Sequence, residues 1–101
     1  MGHGIAGWVA DQQQPTIVDN AQSDARFFAG IDNAFDFKTS SLLAAPIVGG
    51  GRTLGVIEVL NKRNDASFTT ADQTLLTLLC RYAGEILNVM TLNEPPFVAD
   101  Q

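Results

Sequence analysis

The sequence predicts an α+β fold, an antiparallel β-sheet flanked by helices. Two patterns carry that prediction. Residues 41–60 hold two apolar, strand-like runs joined by Gly49-Gly50-Gly51-Arg52, and glycine enters the positive-φ conformations of a tight hairpin without steric cost. Residues 70–92 repeat apolar side chains at three- and four-residue spacing, the period of one helix face. At 101 residues and 46% hydrophobic content, the chain is one domain with enough apolar side chain for a packed core.

Gly4 to Ala10 reads as a short helix with Ile5, Trp8 and Val9 on one side. Pro15 ends it, because the residue before a proline is steered away from helical conformation. Thr16-Ile17-Val18 is a short strand. Ser23 or Asp24 caps a helical turn holding Ala25, Phe27 and Phe28, and residues 31–37 form a short helix or a structured loop. Ser41 to Val48 is a strand in which Pro46, lacking an N–H, belongs at an edge or a bulge. Thr53 to Leu60 returns beside it. Thr69 or Thr70 caps the last helix, and Thr70 to Gln73 also fits a capping box. Leu75, Leu78, Leu79, Tyr82, Ile86, Val89 and Met90 make one stripe along that helix, widened by Leu76, Ala83 and Leu87. Asn93 through Pro96 stops it, so the domain is expected over residues 1–92, with 93–101 as a tail.

Composition removes several functions. The net charge is −5 and the 6 basic residues are scattered, whereas nucleic-acid binding needs clustered Lys and Arg to replace phosphate counterions. No apolar run approaches the roughly 20 residues of a membrane span. Cys80 is the only cysteine, which precludes an internal disulfide and fits a cytoplasmic protein. It lies mid-helix, where a buried inert thiol is expected.

Motifs with catalytic or metal chemistry do not assemble. Gly2-His3-Gly4-Ile5-Ala6-Gly7 has the spacing of a dinucleotide fingerprint, but no strand precedes it and the sheet is antiparallel, so close helix packing explains the glycines. His3 has no second histidine or nearby cysteine with which to hold a metal. Ser40 and Ser41 have no histidine base for a hydrolase triad. Asp32 and Asp36 share a spacing of four, which reads as a solvated face. Glu58 interrupts an apolar strand, and its side chain faces water, a partner or a pocket.

The chain resembles the GAF domain family over nearly its whole length. Asn61-Lys62, then Phe68, then Asp72-Gln73 resembles that family's Asn-Lys…Phe-x-x-x-Asp-Glu element, with Gln73 in place of the usual final Glu. Gly4-Ile-Ala-Gly-Trp-Val-Ala is similar to the helix that follows the family's first hairpin. Asp24-Ala-Arg-Phe-Phe and Phe37-Lys-Thr-Ser-Ser-Leu-Leu are similar to segments that close over a pocket. Ala45-Pro46-Ile47 and Gly55-Val56-Ile57-Glu58-Val59 match its paired strands. The resemblance implies a GAF-like domain without the first helix and first two strands.

From this resemblance follow the expected sites. A small-molecule pocket would be walled by Phe27, Phe28, Phe35 and Phe37, with Asp32, Asn33, Thr39, Ser40 and Ser41 as polar handles; plain core packing of the aromatics is the alternative. Asn61, Lys62, Phe68 and Asp72 are expected to form a structural brace, with Lys62 and Asp72 as an ion pair. An absent neighbour would leave the strand Thr53–Leu60 bare, and a bare apolar edge invites another chain. A homodimer is therefore expected through Leu54, Val56, Ile57 and Glu58, through the last helix, or both. The implied function is a non-catalytic regulatory or sensory module, with small-molecule binding and signalling through dimerisation. The rival is a purely structural dimerisation unit. The resemblance identifies neither a ligand nor a cofactor.

Overall fold

Glycine at the tip and β-branched residues along the arms make the hairpin at the centre of the molecule. The computed structural model describes residues 4–27 and 38–93. In it β2 (Leu42–Gly49) and β3 (Arg52–Leu60) pair antiparallel, from Leu42 opposite Leu60 to Gly49 opposite Arg52. Gly50 and Gly51 turn the chain at φ 61° and 78°. These positive values match the right-handed twist of the strands they join. The register skips Leu54, since Ile47 faces Gly55 and Val48 faces Thr53. This bulge reverses the side-chain alternation and turns Thr53 toward the first helix, where its Oγ1 donates to the Ala10 carbonyl at 2.8 Å.

The third strand, β1 (Thr16–Val18), pairs antiparallel with the start of β2, giving the order β1-β2-β3. It reaches only as far as Thr16 opposite Ala44. Among the described residues β2 therefore has no partner beside Pro46 on that side, next to the bulge, which suits a residue without an N–H.

Among the described residues each face of the sheet carries one helix. α1 (Gly4–Gln12) packs Ile5 and Val9 with Val18, Ala21, Leu42 and Ala44, and Trp8, Phe27 and Val56 close the cluster. α2 (Thr70–Asn93) covers the other face, where Leu76 and Cys80 meet Leu43, Ala45 and Phe68. α2 begins where Thr69 Oγ1 accepts the Asp72 N–H at 3.1 Å and Asp72 Oδ2 accepts the Thr69 N–H at 2.8 Å. This reciprocal box makes Thr69 the cap.

The apolar stripe of α2 points the other way from the core. Leu75, Leu79, Tyr82, Ile86, Val89 and Met90 are each more than half exposed, and Leu78 is 44% exposed. The helix meets the sheet through Leu76, Cys80 and Gly84, spaced by four. A Cβ on Gly84 would overlap the Val48 carbonyl, so the small residues let the helix backbone settle onto β2. Close approach, not the broadest apolar face, sets how α2 is rotated.

Among the described residues between β1 and β2, a 3-10 turn at Ala21–Ser23 is followed by a turn at residues 25–26. Asp24 caps that second turn, as expected: its Oδ1 accepts the Arg26 N–H at 2.8 Å and its carbonyl accepts the Phe27 N–H at 3.1 Å. The Arg26 guanidinium also donates to the Asp24 carboxylate at 2.8–3.0 Å. The segment 31–37 lies outside the described residues, as does the tail from 94.

Candidate functional site

Three features of the surface and its support bear on function: the α1 face of the sheet, the junction at the end of β3, and the outer side of α2 with the edge of β3.

On the α1 face, Glu58 pairs with Ala44 and follows Val56 by two residues, so alternation sets its carboxyl on the apolar side that α1 covers. Glu58 is exposed as a residue, but partial desolvation of its carboxyl on this face pushes its pKa above the ordinary carboxylate value. Near one end of this face the Arg26 guanidinium lies 4.6 Å from the Trp8 ring centre while bonded to Asp24 at 2.8 Å. The Arg26 side chain, by hydrogen bonding, holds the Asp24 carboxyl below its usual range. Of the residues expected to wall a pocket, Phe27 is half-buried against the α1 cluster, and Thr39 and Ser41 are buried. Phe28, Asp32, Asn33, Phe35 and Phe37 lie outside the described residues.

At the junction, Asn61 joins β3 to the segment that enters β2. Its Oδ1 accepts from the Ser40 N–H at 2.7 Å, the Ser40 hydroxyl at 3.0 Å and the Ser41 N–H at 3.2 Å. Its Nδ2 donates to the Lys38 carbonyl at 3.0 Å, and its backbone N–H donates to the Ser41 carbonyl at 2.8 Å. Asn61 adopts φ 53°, a left-handed conformation that asparagine tolerates better than most residues. The Lys62 N–H donates to Ser41 Oγ at 3.2 Å. Ser40 and Ser41 are thus engaged by the chain itself.

One residue on, Lys62 Nζ donates to Asp72 Oδ2 at 2.6 Å. The Lys62 ammonium, followed by the Thr69 N–H, holds the Asp72 carboxyl below the ordinary range. Phe68 is buried under the connecting loop, against Leu43, Ala45 and Leu76. Asn61, Lys62, Phe68 and Asp72 therefore surround one junction between β3 and α2.

The third feature is an unpaired surface. Among the described residues β3 has β2 on one side and no strand on the other. Along it Leu54, Val56 and Ile57 are half-buried, while Glu58, Val59 and Leu60 are exposed. Val59 and Leu60 belong to the strand Thr53–Leu60, which with the last helix is where the sequence led us to expect pairing. Cys80 and Gly84 lie on the side of α2 that touches the sheet. An open cleft of about 360 Å³ runs beside α2, lined by Gln13, Pro15, Pro46, Val48, Thr77, Arg81 and Glu85.

Among the described residues no cluster of His, Cys, Asp or Glu is suited to a metal, and no helix is long and apolar enough to cross a membrane. Cys80 is buried with its thiol pKa raised by that burial, the opposite of an activated thiolate.

A family model described as a GAF domain matches residues 1–88. The chain is 34% identical over 88 residues to the probable 3′,5′-cyclic phosphodiesterase pde-5 of Caenorhabditis elegans, covering 87% of this chain and 12% of that protein. It is 34% identical over 84 residues to the dual 3′,5′-cyclic-AMP and -GMP phosphodiesterase 11 of Drosophila melanogaster, covering 82% of this chain and 6% of that one. The match in each spans a small part of a much longer protein. Among solved structures, the GAF domain of a phosphoenolpyruvate-protein phosphotransferase from Coxiella burnetii superimposes with a TM-score of 0.73 at 19% identity, over 90% of this chain and 54% of that one. That likeness concerns the fold.

Proposed function

The chain belongs to the GAF domain family, whose members generally act as regulatory or sensory modules, and we propose that it signals by pairing with a second copy of itself. One observation carries the reading: α2 turns seven large apolar side chains away from its own sheet. A monomer rarely leaves a contiguous apolar patch of more than a few hundred Å² in water. The bare edge of β3, with Val59 and Leu60 exposed beside it, adds a second surface open to a partner. Light scattering at tens of micromolar tests this: a dimer is expected, and a monomer would overturn it.

A small-molecule site on the α1 face is the second reading, and Glu58 favours it. A partly desolvated carboxyl on an apolar sheet face is an arrangement suited to a ligand that donates hydrogen bonds. The relatives' names point first to 3′,5′-cyclic nucleotides. A ligand of the folded state raises the melting temperature by mass action. Cyclic AMP and cyclic GMP are the first probes, followed by nucleobases, amino acids and tetrapyrroles. If none shifts the melt while the dimer persists, the module is a dimerisation unit alone. Within either reading, the junction of Asn61, Lys62, Phe68 and Asp72 acts as a brace that holds β3 and α2 in register.

A further inference from the structure

We propose that the second copy docks antiparallel on α2, about a two-fold axis level with Ala83, so that Arg81 of each chain meets Glu85 of the other. The proposal rests on the dimer reading above and adds to it an orientation and a register.

The outer side of α2 is large enough for the task. Its seven apolar side chains, most of them more than half exposed, present on the order of 800 Å², close to what each partner buries in a stable interface of standard size. The orientation follows from the unlike flanks of this stripe. Thr74, Arg81 and Glu85 share one flank, the one that overlooks Pro15 and Pro46. Ala83 and Leu87 occupy the other. Ion pairs among the described residues are Arg26–Asp24 and Lys62–Asp72, so Arg81 and Glu85 are each without one.

Symmetry then separates the two possible pairings. A parallel two-fold lays the flank of Arg81 and Glu85 against the partner's Ala83 and Leu87, which removes water from charges and returns no counter-charge. An antiparallel two-fold brings like flanks together, so that one seam is charged and the other apolar. With the axis level with Ala83, Arg81 and the partner's Glu85 stand at the same height, and the pair occurs twice. The same register interleaves the large side chains. The partner's Ile86 falls between Leu79 and Tyr82, the partner's Tyr82 between Tyr82 and Ile86, and the partner's Leu79 between Ile86 and Met90. Interdigitation of this kind is how helices pack closely.

The experiment is disulfide trapping at exposed positions of the full chain, followed by charge reversal. Leu78→Cys and Val89→Cys chains, mixed, are expected to form a heterodisulfide, because these positions lie at nearly one height across the antiparallel seam. Leu75→Cys chains alone are expected not to link, since their sulfurs would be separated by about 24 Å along the helices at a rise of about 1.5 Å per residue. Glu85→Arg or Arg81→Glu alone is expected to weaken the dimer about tenfold, and the double reversal to restore it within about threefold. A monomeric wild type defeats the dimer reading itself. A dimer in which Leu75→Cys links to itself is parallel, and one indifferent to every change on α2 is built on another surface; either overturns only the orientation proposed.

Discussion

Asn61 illustrates how much one side chain holds together at the junction where β3 ends. Its carbonyl oxygen takes three hydrogen bonds from Ser40 and Ser41, and its backbone sits at φ 53°. Alanine would leave two N–H groups of the 40–41 segment without their acceptor and would occupy a strained conformation. We expect Asn61→Ala to lower stability by about 2–3 kcal/mol in urea unfolding. Asn61→Asp, which keeps the acceptor, should lose less than half of that. Three carboxyls give the pH profile opposing limbs. Asp24 and Asp72 are held low by Arg26 and Lys62. The stability they add is complete above about pH 4 and drains away as pH falls below it. Glu58 is pushed up by burial, so the folded chain keeps a proton that the unfolded chain releases. Stability therefore falls as pH rises through the window above about 4.3. Glu58→Gln should flatten that upper limb and spare the acid limb, read as urea midpoints across the range. An unchanged upper limb would mean that Glu58 is fully hydrated.

The hairpin was legible because its cause is local: glycines at 49–51 and apolar arms of matching length define both the turn and the pairing. α2 was legible as a helix for the same reason, and Pro46 could be assigned to an edge or bulge from its missing N–H. What the sequence did not reveal was which side of α2 faces the sheet. Periodicity finds the broad stripe through Leu75 and Tyr82, and habit assigns such a stripe to the core. The contact is instead made by Leu76, Cys80 and Gly84, because only small residues admit a backbone this close to Val48. The tie between Asn61 and the two serines was also hidden, since it joins segments some twenty residues apart through one oxygen. Gly84 gives the test of helix seating. Gly84→Ala forces a Cβ into the Val48 carbonyl and must lift the helix from the sheet, a loss on the order of 3 kcal/mol. Elsewhere in a helix the same exchange stabilises by nearly 1 kcal/mol, so a destabilised variant points to the close approach itself. A variant as stable as the parent would show that α2 does not sit against β2 in this way.

The described residues form a sheet of three strands with a helix on each face, and much of their apolar surface lies on the outside of one of these helices. A sheet this small draws limited stability from its own core, so covering the outer side of α2 adds stability in proportion to how fully it is covered. Under the proposed pairing, folding and association are coupled, and the melting temperature depends on concentration. We expect it to rise steadily across a hundredfold increase in chain concentration. Replacing Tyr82 and Ile86 by lysine separates the two contributions. Both side chains are exposed, at 72% and 60%, so the variant retains its internal contacts and its helical circular dichroism. It should be monomeric, melt below the parent at every concentration, and show no concentration dependence. Ile57 and Glu58 are neighbours on β3 with side chains on opposite faces, so the strand next to the α2 core also carries the carboxyl of the α1 face. A ligand gripping Glu58 would therefore act on the strand that supports the paired helix, which is a short path from binding to pairing. In the double-lysine variant a bound ligand should still raise the melting temperature, while in the parent it should also change the slope of melting temperature against concentration. Identical slopes with and without ligand would show that the two faces of the sheet work independently.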